Sequence, residues 1–203
     1  RWARELGSSA ATGHREGAYQ VDEVLDWCDE AGIEIVTLWM LSTDNLNRSD
    51  DELRELIGII AQTVENLASS GKWRIRVIGD LDLVPDDAAA RLRTAAEMSS
   101  GSRGMTVNIA VGYGGRHEIT DAVRKYLREQ DAAGASLEDV AEQLNVAAIT
   151  EHMYTSGQPD PDLIIRTSGE QRMSGFMLWQ TVHTELYFCE AYWPEFRRTD
   201  LLR

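Results

Sequence analysis

Residues 33–41 read IEIVTLWML, and from Ile35 to Leu41 no charged side chain interrupts the run. It is too short for an ordinary helix, is rich in β-branched residues, and is bounded by Gly32 and by the polar stretch 42–45. Such a segment reads as a central parallel strand buried on both faces. Upstream, Val21, Val24, Leu25 and Cys28 follow helical spacing, and Gly32 supplies the left-handed residue that commonly ends a helix, predicting one over 17–32. Downstream, Ser49 and Glu52 form a capping-box pattern ahead of Leu53, Leu56, Ile57, Ile60, Val64 and Leu67, a long amphipathic helix broken by 69–71.

The alternation continues to the end of the chain. WRIRVIGD (73–80) reads as a strand, Pro85 opens an Ala-rich helix, and MTVNIAVGYG (105–114) is a strand ended by glycines that turn into a helix carrying Ile119, Ala122, Val123, Tyr126 and Leu127. Short helices are expected between Ser136 and Met153, then buried strands at DLIIRTSG (162–169) and ELYFC (185–189). Strands alternating with helices predict an α/β class: a single domain, residues 1–203, with a mostly parallel central sheet covered by helices and ligands at the carboxyl ends of its strands.

Composition removes several classes. The 203 residues suit one domain, and 43% hydrophobic content with 27% charged and only 4 Pro excludes disorder and low-complexity readings. With 34 acidic against 20 basic residues the net charge is −14, which disfavours a general nucleic-acid or anionic-membrane surface, so any anion site is local. Cys28 and Cys189, far apart in apolar contexts, read as buried free thiols. No apolar run approaches the roughly 18 residues of a membrane span. The abrupt start at Arg1 and stop at Arg203 lead to the expectation that both natural ends lie outside this chain.

Three polar clusters follow predicted strands: LSTDNLNR (41–48), GYGGR (112–116) and RTSGEQRMSG (166–175). The third is richest, because Arg166 and Arg172 can each fork onto phosphate oxygens while Thr167, Ser168, Gly169 and Ser174 offer hydroxyl and backbone donors. A lone arginine in an acid-rich chain is ordinarily a surface ion-pair partner; clustering after a strand favours an anion cradle instead. His14, beside Gly13, is a further candidate phosphate donor. His117, His152 and His183 are scattered and no zinc spacing is present; GxGxxG, GxxxxGK[ST] and GxSxG are absent too.

Taken together, RWA (1–3), LSTDNLNR (41–48), VNIAVGYGGRHEI (107–119), PDPDLIIRTSGEQRMSGFMLWQ (159–180), TELYF (184–188) and YWPEF (192–196) resemble the cis-prenyltransferase family, the undecaprenyl diphosphate synthase-like isoprenyl transferases. The similarity runs in order along essentially the whole chain and is greatest to short actinobacterial members. It implies a homodimeric α/β enzyme that elongates an allylic diphosphate (geranyl or farnesyl) with isopentenyl diphosphate, makes a new cis double bond and requires Mg2+. By resemblance Arg1, His14 and the turn of Ser42, Thr43, Asp44 and Asn45 lie around the allylic diphosphate. Arg166, Arg172 and Ser174 then hold isopentenyl diphosphate, and Trp2, Leu46, Arg48 and Met173 complete the substrate site. Glu185 matches a carboxylate that helps ligate Mg2+. Asn45 matches the residue assigned to proton removal; since an amide is not basic enough to act alone, it positions water or a diphosphate oxygen. Met40 matches a chain-length position occupied by a small residue in long-chain members, so a short product of about farnesyl length is expected.

The chain also departs from that pattern. Family members carry a strand and a DGN turn just before the RWA run, whose Asp is the main Mg2+ ligand, and a basic C-terminal tail; neither is in this sequence. Ala10 stands where many members have an arginine and Leu46 where they have an aromatic, so the resemblance does not carry over one phosphate contact and one stacking surface. The competing readings are a noncatalytic partner subunit, a long-chain polyprenyl diphosphate synthase, and a generic phosphate-binding or phosphatase-like domain. The last lacks a recognisable nucleophile turn. An acidic enzyme with a short product needs no permanent membrane attachment, so a cytoplasmic protein, at most peripheral to the membrane, is expected; nucleic acid is not an expected partner. Homodimerisation rests on the family and on the apolar stretch 176–192.

Overall fold

The 33–41 run becomes β1 (Ile35–Ser42) in the computed structural model, which describes residues 2–5 and 7–202 and, for Arg4, Ala10 and Ala11, the backbone only. Arg1 and the side chain of Ala10, both singled out above, lie outside what is described. After the short α1 (Trp2–Glu5), helix α2 (Ala10–Glu30) starts a full turn and more ahead of the predicted helix, because Ser9 caps it by accepting from the Thr12 N–H at 3.1 Å. It ends where Gly32 takes a φ of +76°.

Helix α3 (Asp50–Ser69) follows β1, but the predicted capping box does not form. Ser49 occupies the N-cap position without a side-chain bond, and Glu52 pairs with Arg48 one turn back instead. A carboxylate offered a guanidinium at i−4 gains a charge-assisted bond in place of a neutral one. The chain continues through β2 (Arg74–Ile78), α4 (Asp86–Ser99), β3 (Thr106–Tyr113), α5 (Gly115–Ala132), α6 (Leu137–Gln143), α7 (Val146–Thr150), β4 (Leu163–Arg166), β5 (Glu185–Phe188) and α8 (Arg198–Leu201).

Every paired strand is parallel, in two groups: β1-β3-β2 and β4-β5. Helices α2, α3 and α4 cover one face, where Val107, Ile109 and Val111 of β3 meet Leu25, Leu56, Ile60, Val64 and Leu92 in the main core. The opposite face holds a smaller cluster of Ile78, Ala110, Tyr113 and Met177, with Trp39 and Phe176 packed against it. Alternation along β3 sends 107, 109 and 111 to one side and 108 and 110 to the other.

β1 corrects the expectation of a central strand buried on both faces: it is the outer strand of its group and all but Leu41 are only half-buried. The reason is a cavity of about 1090 Å³ lined by the consecutive residues Thr37, Leu38, Trp39 and Met40 of β1 and Ile164, Ile165 and Arg166 of β4. Consecutive strand side chains point to opposite faces. A cavity lined by both sets therefore runs along unpaired strand edges, and β1 and β4 present such edges to it.

Candidate active site

The loop after β4 carries the backbone strain. Among the described residues, the non-glycine positions with positive φ are Ser168 (72°), Ser174 (51°) and Met177 (47°), all within or just beyond the 166–175 cluster. An L residue held in this region costs free energy, and such outliers gather where a loop is shaped for a ligand. The shaping has a visible product. Arg166 Nη1 and Arg172 Nε both donate to Ser174 Oγ, at 3.1 and 3.2 Å, so two guanidiniums eight to two residues away converge on one hydroxyl. Glu170, 9% exposed, lies against both, with Arg166 Nη2 at 3.5 Å and Arg172 Nη1 in contact. Backbone bonds from Ser168 N–H to Ala191 O (2.8 Å) and Gly169 N–H to Cys189 O (2.9 Å) anchor the near end of the loop to the segment after β5.

Behind the loop is a buried carboxyl network that the sequence did not reveal. Glu118, 0% exposed, accepts from the Tyr113 hydroxyl, from Tyr154 N–H (3.0 Å) and from Gln180 Nε2 (3.0 Å). Tyr113 Oη in turn accepts from Met177 N–H at 3.1 Å. Burial pushes the Glu118 carboxyl above its ordinary range, and its three donors pull the other way. Burial and the neighbouring Glu118 hold the Tyr113 hydroxyl un-ionised. Gly115 closes the assembly: its N–H donates to Gly175 O at 2.7 Å, and a Cβ there would stand 2.6 Å from that oxygen. Only glycine lets α5 begin so close to the loop. The signal available in sequence was the GYGG run, whose reading as a tight turn into a helix is met, but which does not name the partner it turns against.

The large cavity adjoins Arg166 and Met173 on one side and Trp2, His14 and Arg48 on the other. Its floor is apolar, with Met40, Leu56, Ile59 and Ile60 facing Val21 and Ala18. His14, in the first turns of α2, is shifted to lower pKa by burial and then by the positive charge of Arg48, which favours its neutral form. Trp2 is held by Glu195, its Nε1 donating to Oε1 at 2.8 Å. Trp39 stacks on Phe176 at 5.0 Å between centroids, tying β1 to the arginine loop.

Not all the expected site residues converge. Ser42 caps the turn 43–47 by accepting from Asn45 N–H at 3.2 Å, at the carboxyl end of β1, and Thr43 packs against Gly114. Asp44 is exposed there, and Leu46 packs against the main core rather than offering a stacking surface. Glu185 begins β5, opposite Leu163, while Arg166 stands opposite Phe188 at the other end. At about 3.3 Å per residue those ends are roughly 10 Å apart. The described residues therefore do not assemble Glu185 with the arginine loop in one copy of the chain; the carboxylates at the loop are Glu170, caged by two guanidiniums, and Glu190, packed against Gly169. A separate trio, Asp80, His117 and Asp121, brings its ligand atoms within 4.8 Å of one another at the carboxyl end of β2 and the start of α5. His117 Nε2 lies 3.1 Å from Asp80 Oδ2 and 3.3 Å from Asp121 Oδ2, within reach of both carboxylates. Among the described residues no helix is long and apolar enough to cross a membrane.

Comparison with known proteins agrees with this geometry. The family model described as putative undecaprenyl diphosphate synthase matches residues 1–203. A (2Z,6E)-farnesyl diphosphate synthase of Thermobifida fusca is 54% identical over all of this chain and 80% of its own length. Isoprenyl transferase 1 of Streptomyces avermitilis is 51% identical over all of this chain and 79% of its own. Among solved structures, lavandulyl diphosphate synthase from Lavandula x intermedia, in complex with dimethylallyl diphosphate, superposes with a TM-score of 0.89 at 32% identity, covering 99% of this chain and 86% of that one. This chain belongs to the undecaprenyl diphosphate synthase family of prenyltransferases.

Proposed function

We propose that the chain condenses isopentenyl diphosphate with geranyl or farnesyl diphosphate to a short Z-configured prenyl diphosphate. The single observation that supports this most is the convergence of Arg166, Arg172 and Ser174 beside an apolar cavity, which suits a diphosphate head and a hydrocarbon tail together. In the reaction the allylic carbon–oxygen bond breaks and its electrons leave with diphosphate. A carbon–carbon bond forms to the isopentenyl group, and a proton leaves that group. Arg166, Arg172 and Ser174 hold the isopentenyl diphosphate. His14, Arg48 and the turn of Ser42 to Asn45 surround the allylic diphosphate, where neutral His14 gains a proton as the anion binds. Asn45 orients the diphosphate oxygen or water that takes the proton. Fixed donors aimed at the leaving diphosphate stabilise charge that develops only in the transition state.

Mg2+ belongs to this reading as a neutraliser of diphosphate charge. Oxygens of the bound diphosphates would be its main ligands, with Glu185 the carboxylate that the family resemblance assigns to it. Met40 on the cavity wall shortens the space for the growing chain. The protein works in the cytoplasm as a homodimer, and the exposed Leu178 (37%), Val182 (74%) and Leu186 (47%) around the edge strand β5 suit a second copy.

The test incubates the natural protein with Mg2+ and radiolabelled isopentenyl diphosphate, offering geranyl or farnesyl diphosphate in turn, and sizes the dephosphorylated products. A single short product abolished by chelator is expected. A long ladder would discard the Met40 stop. No incorporation from either starter would leave a noncatalytic partner subunit as the reading.

A further inference from the structure

Away from the large cavity, α5, β2 and the turn at 152–156 enclose a second one of about 540 Å³. Arg76, Arg124, Lys125 and Arg128 line it, with His152 at its edge. In a chain with 34 acidic and 20 basic residues a surface cation ordinarily meets a carboxylate, as Lys72, Arg91 and Arg198 do. Arg76, Lys125 and Arg128 have no ion-pair partner among the described residues. The carboxylates nearest them are engaged. Asp121 accepts from Arg124 and from the Tyr154 hydroxyl and faces His117, and Glu129, whose charge Lys125 feels, lies 2.8 Å from His152 Nε2.

Four cations against Asp121 and Glu129 leave the cluster with an excess of positive charge that a bound anion would offset. Arg124 and Arg128 stand at i, i+4 and Lys125 and Arg128 at i, i+3 on one helix, where like charges repel. Arg76 is half-buried on β2, level with the buried Asn108 of β3, and a cation kept from water without a counter-ion costs free energy. Two forked guanidiniums, a third held on Asp121 and an ammonium around a concave space match a multivalent oxyanion better than a flat anionic surface.

We propose that this cavity is a binding site for a multivalent oxyanion of the phosphate or diphosphate class, free or carried on a small organic group. It is separate from the large cavity, with which it shares no lining residue. It does not depend on the chemistry proposed there.

The test is calorimetric titration of the natural protein with inorganic diphosphate in the absence of divalent metal, repeated with inorganic phosphate and with isopentenyl diphosphate to distinguish free anion from ester. Two diphosphate sites per chain are expected. Lys125→Ala/Arg128→Ala, on the exposed face of α5 and therefore safe for folding, weakens one of them by about tenfold or more, and adding Arg76→Ala removes it. Turnover stays within about twofold, since none of these residues lines the large cavity. In an Arg166→Ala/Arg172→Ala background the second site persists. Unchanged stoichiometry in the variants would overturn the proposal. So would a change of oligomeric state in light scattering, which would mean that a partner's carboxylates meet these cations. Binding to anionic vesicles with none to inorganic diphosphate would also overturn it.

Discussion

Arg166 and Arg172 share Ser174 Oγ but not their environment, and that difference sets a ratio that can be measured. The Arg166 side chain is 24% exposed and that of Arg172 62%. A charge-assisted hydrogen bond to a diphosphate contributes about 1.5–3 kcal/mol, more where water is excluded. For Arg166→Ala, a fork losing two such bonds in a mostly desolvated place costs about 3–4 kcal/mol, or roughly 200- to 900-fold. Arg172 is solvated and screened, so Arg172→Ala costs about 1 kcal/mol, near fivefold. Isopentenyl diphosphate keeps its diphosphate throughout the proposed reaction, so the loss is uniform binding: KM for isopentenyl diphosphate rises while kcat at saturation stays within a few-fold. Steady-state kinetics with the allylic substrate saturating reads both. Arg166→Lys, which keeps the charge and loses the fork, falls between wild type and alanine. Since Glu170 retains Arg172 in the Arg166 variants, melting curves check that the loop still stands. Equal penalties at the two positions, or a fall in kcat with KM unchanged, would refute the assignment of these residues to the substrate that keeps its diphosphate.

Four further outcomes are expected. Because burial raises the Glu118 carboxyl in the fold, its stabilising share is present below the ordinary carboxylate range and is lost as pH rises through the raised value; urea unfolding across pH should show that decline, flattened in Glu118→Gln. A decline of equal slope in the variant would exclude Glu118 as its source. Met40→Ala lengthens the product by enlarging the cavity wall, read by chromatography of the dephosphorylated chains; an unchanged length would place the stop elsewhere. Leu25→Ala, at a fully buried position, costs about 2–5 kcal/mol in chemical denaturation while KM holds. Cys28, whose thiol burial pushes up to about 11, and the equally buried Cys189 resist a thiol reagent at pH 8 until the chain unfolds; fast native labelling would contradict their burial.

The alternation of short apolar runs and amphipathic stretches was enough to foresee five strands, mostly parallel, and the helices between them, though not their division into two groups, because side-chain periodicity is a local property of the chain. In the arginine loop, RTSGEQRMSG directly after a strand offers a cluster of forked and hydroxyl donors by residue type alone, and the fold brings Arg166, Arg172 and Ser174 together. Three matters depended on the fold. Whether β1 is central or outer depends on which strand lies beside it, and an apolar run looks alike in both settings. The Glu118 network joins Tyr113, Tyr154 and Gln180, the last of them 62 residues from Glu118, so no spacing in the sequence could announce it. Glu185 and Arg166 lie near one another in the chain's strand pairing but at opposite ends of it, since parallel register separates a strand's first residue from its neighbour's last by the strand's whole length. Residue types and local periodicity determined the elements and the chemistry available; the long-range pairing of strands and loops decided which of those groups share a cavity.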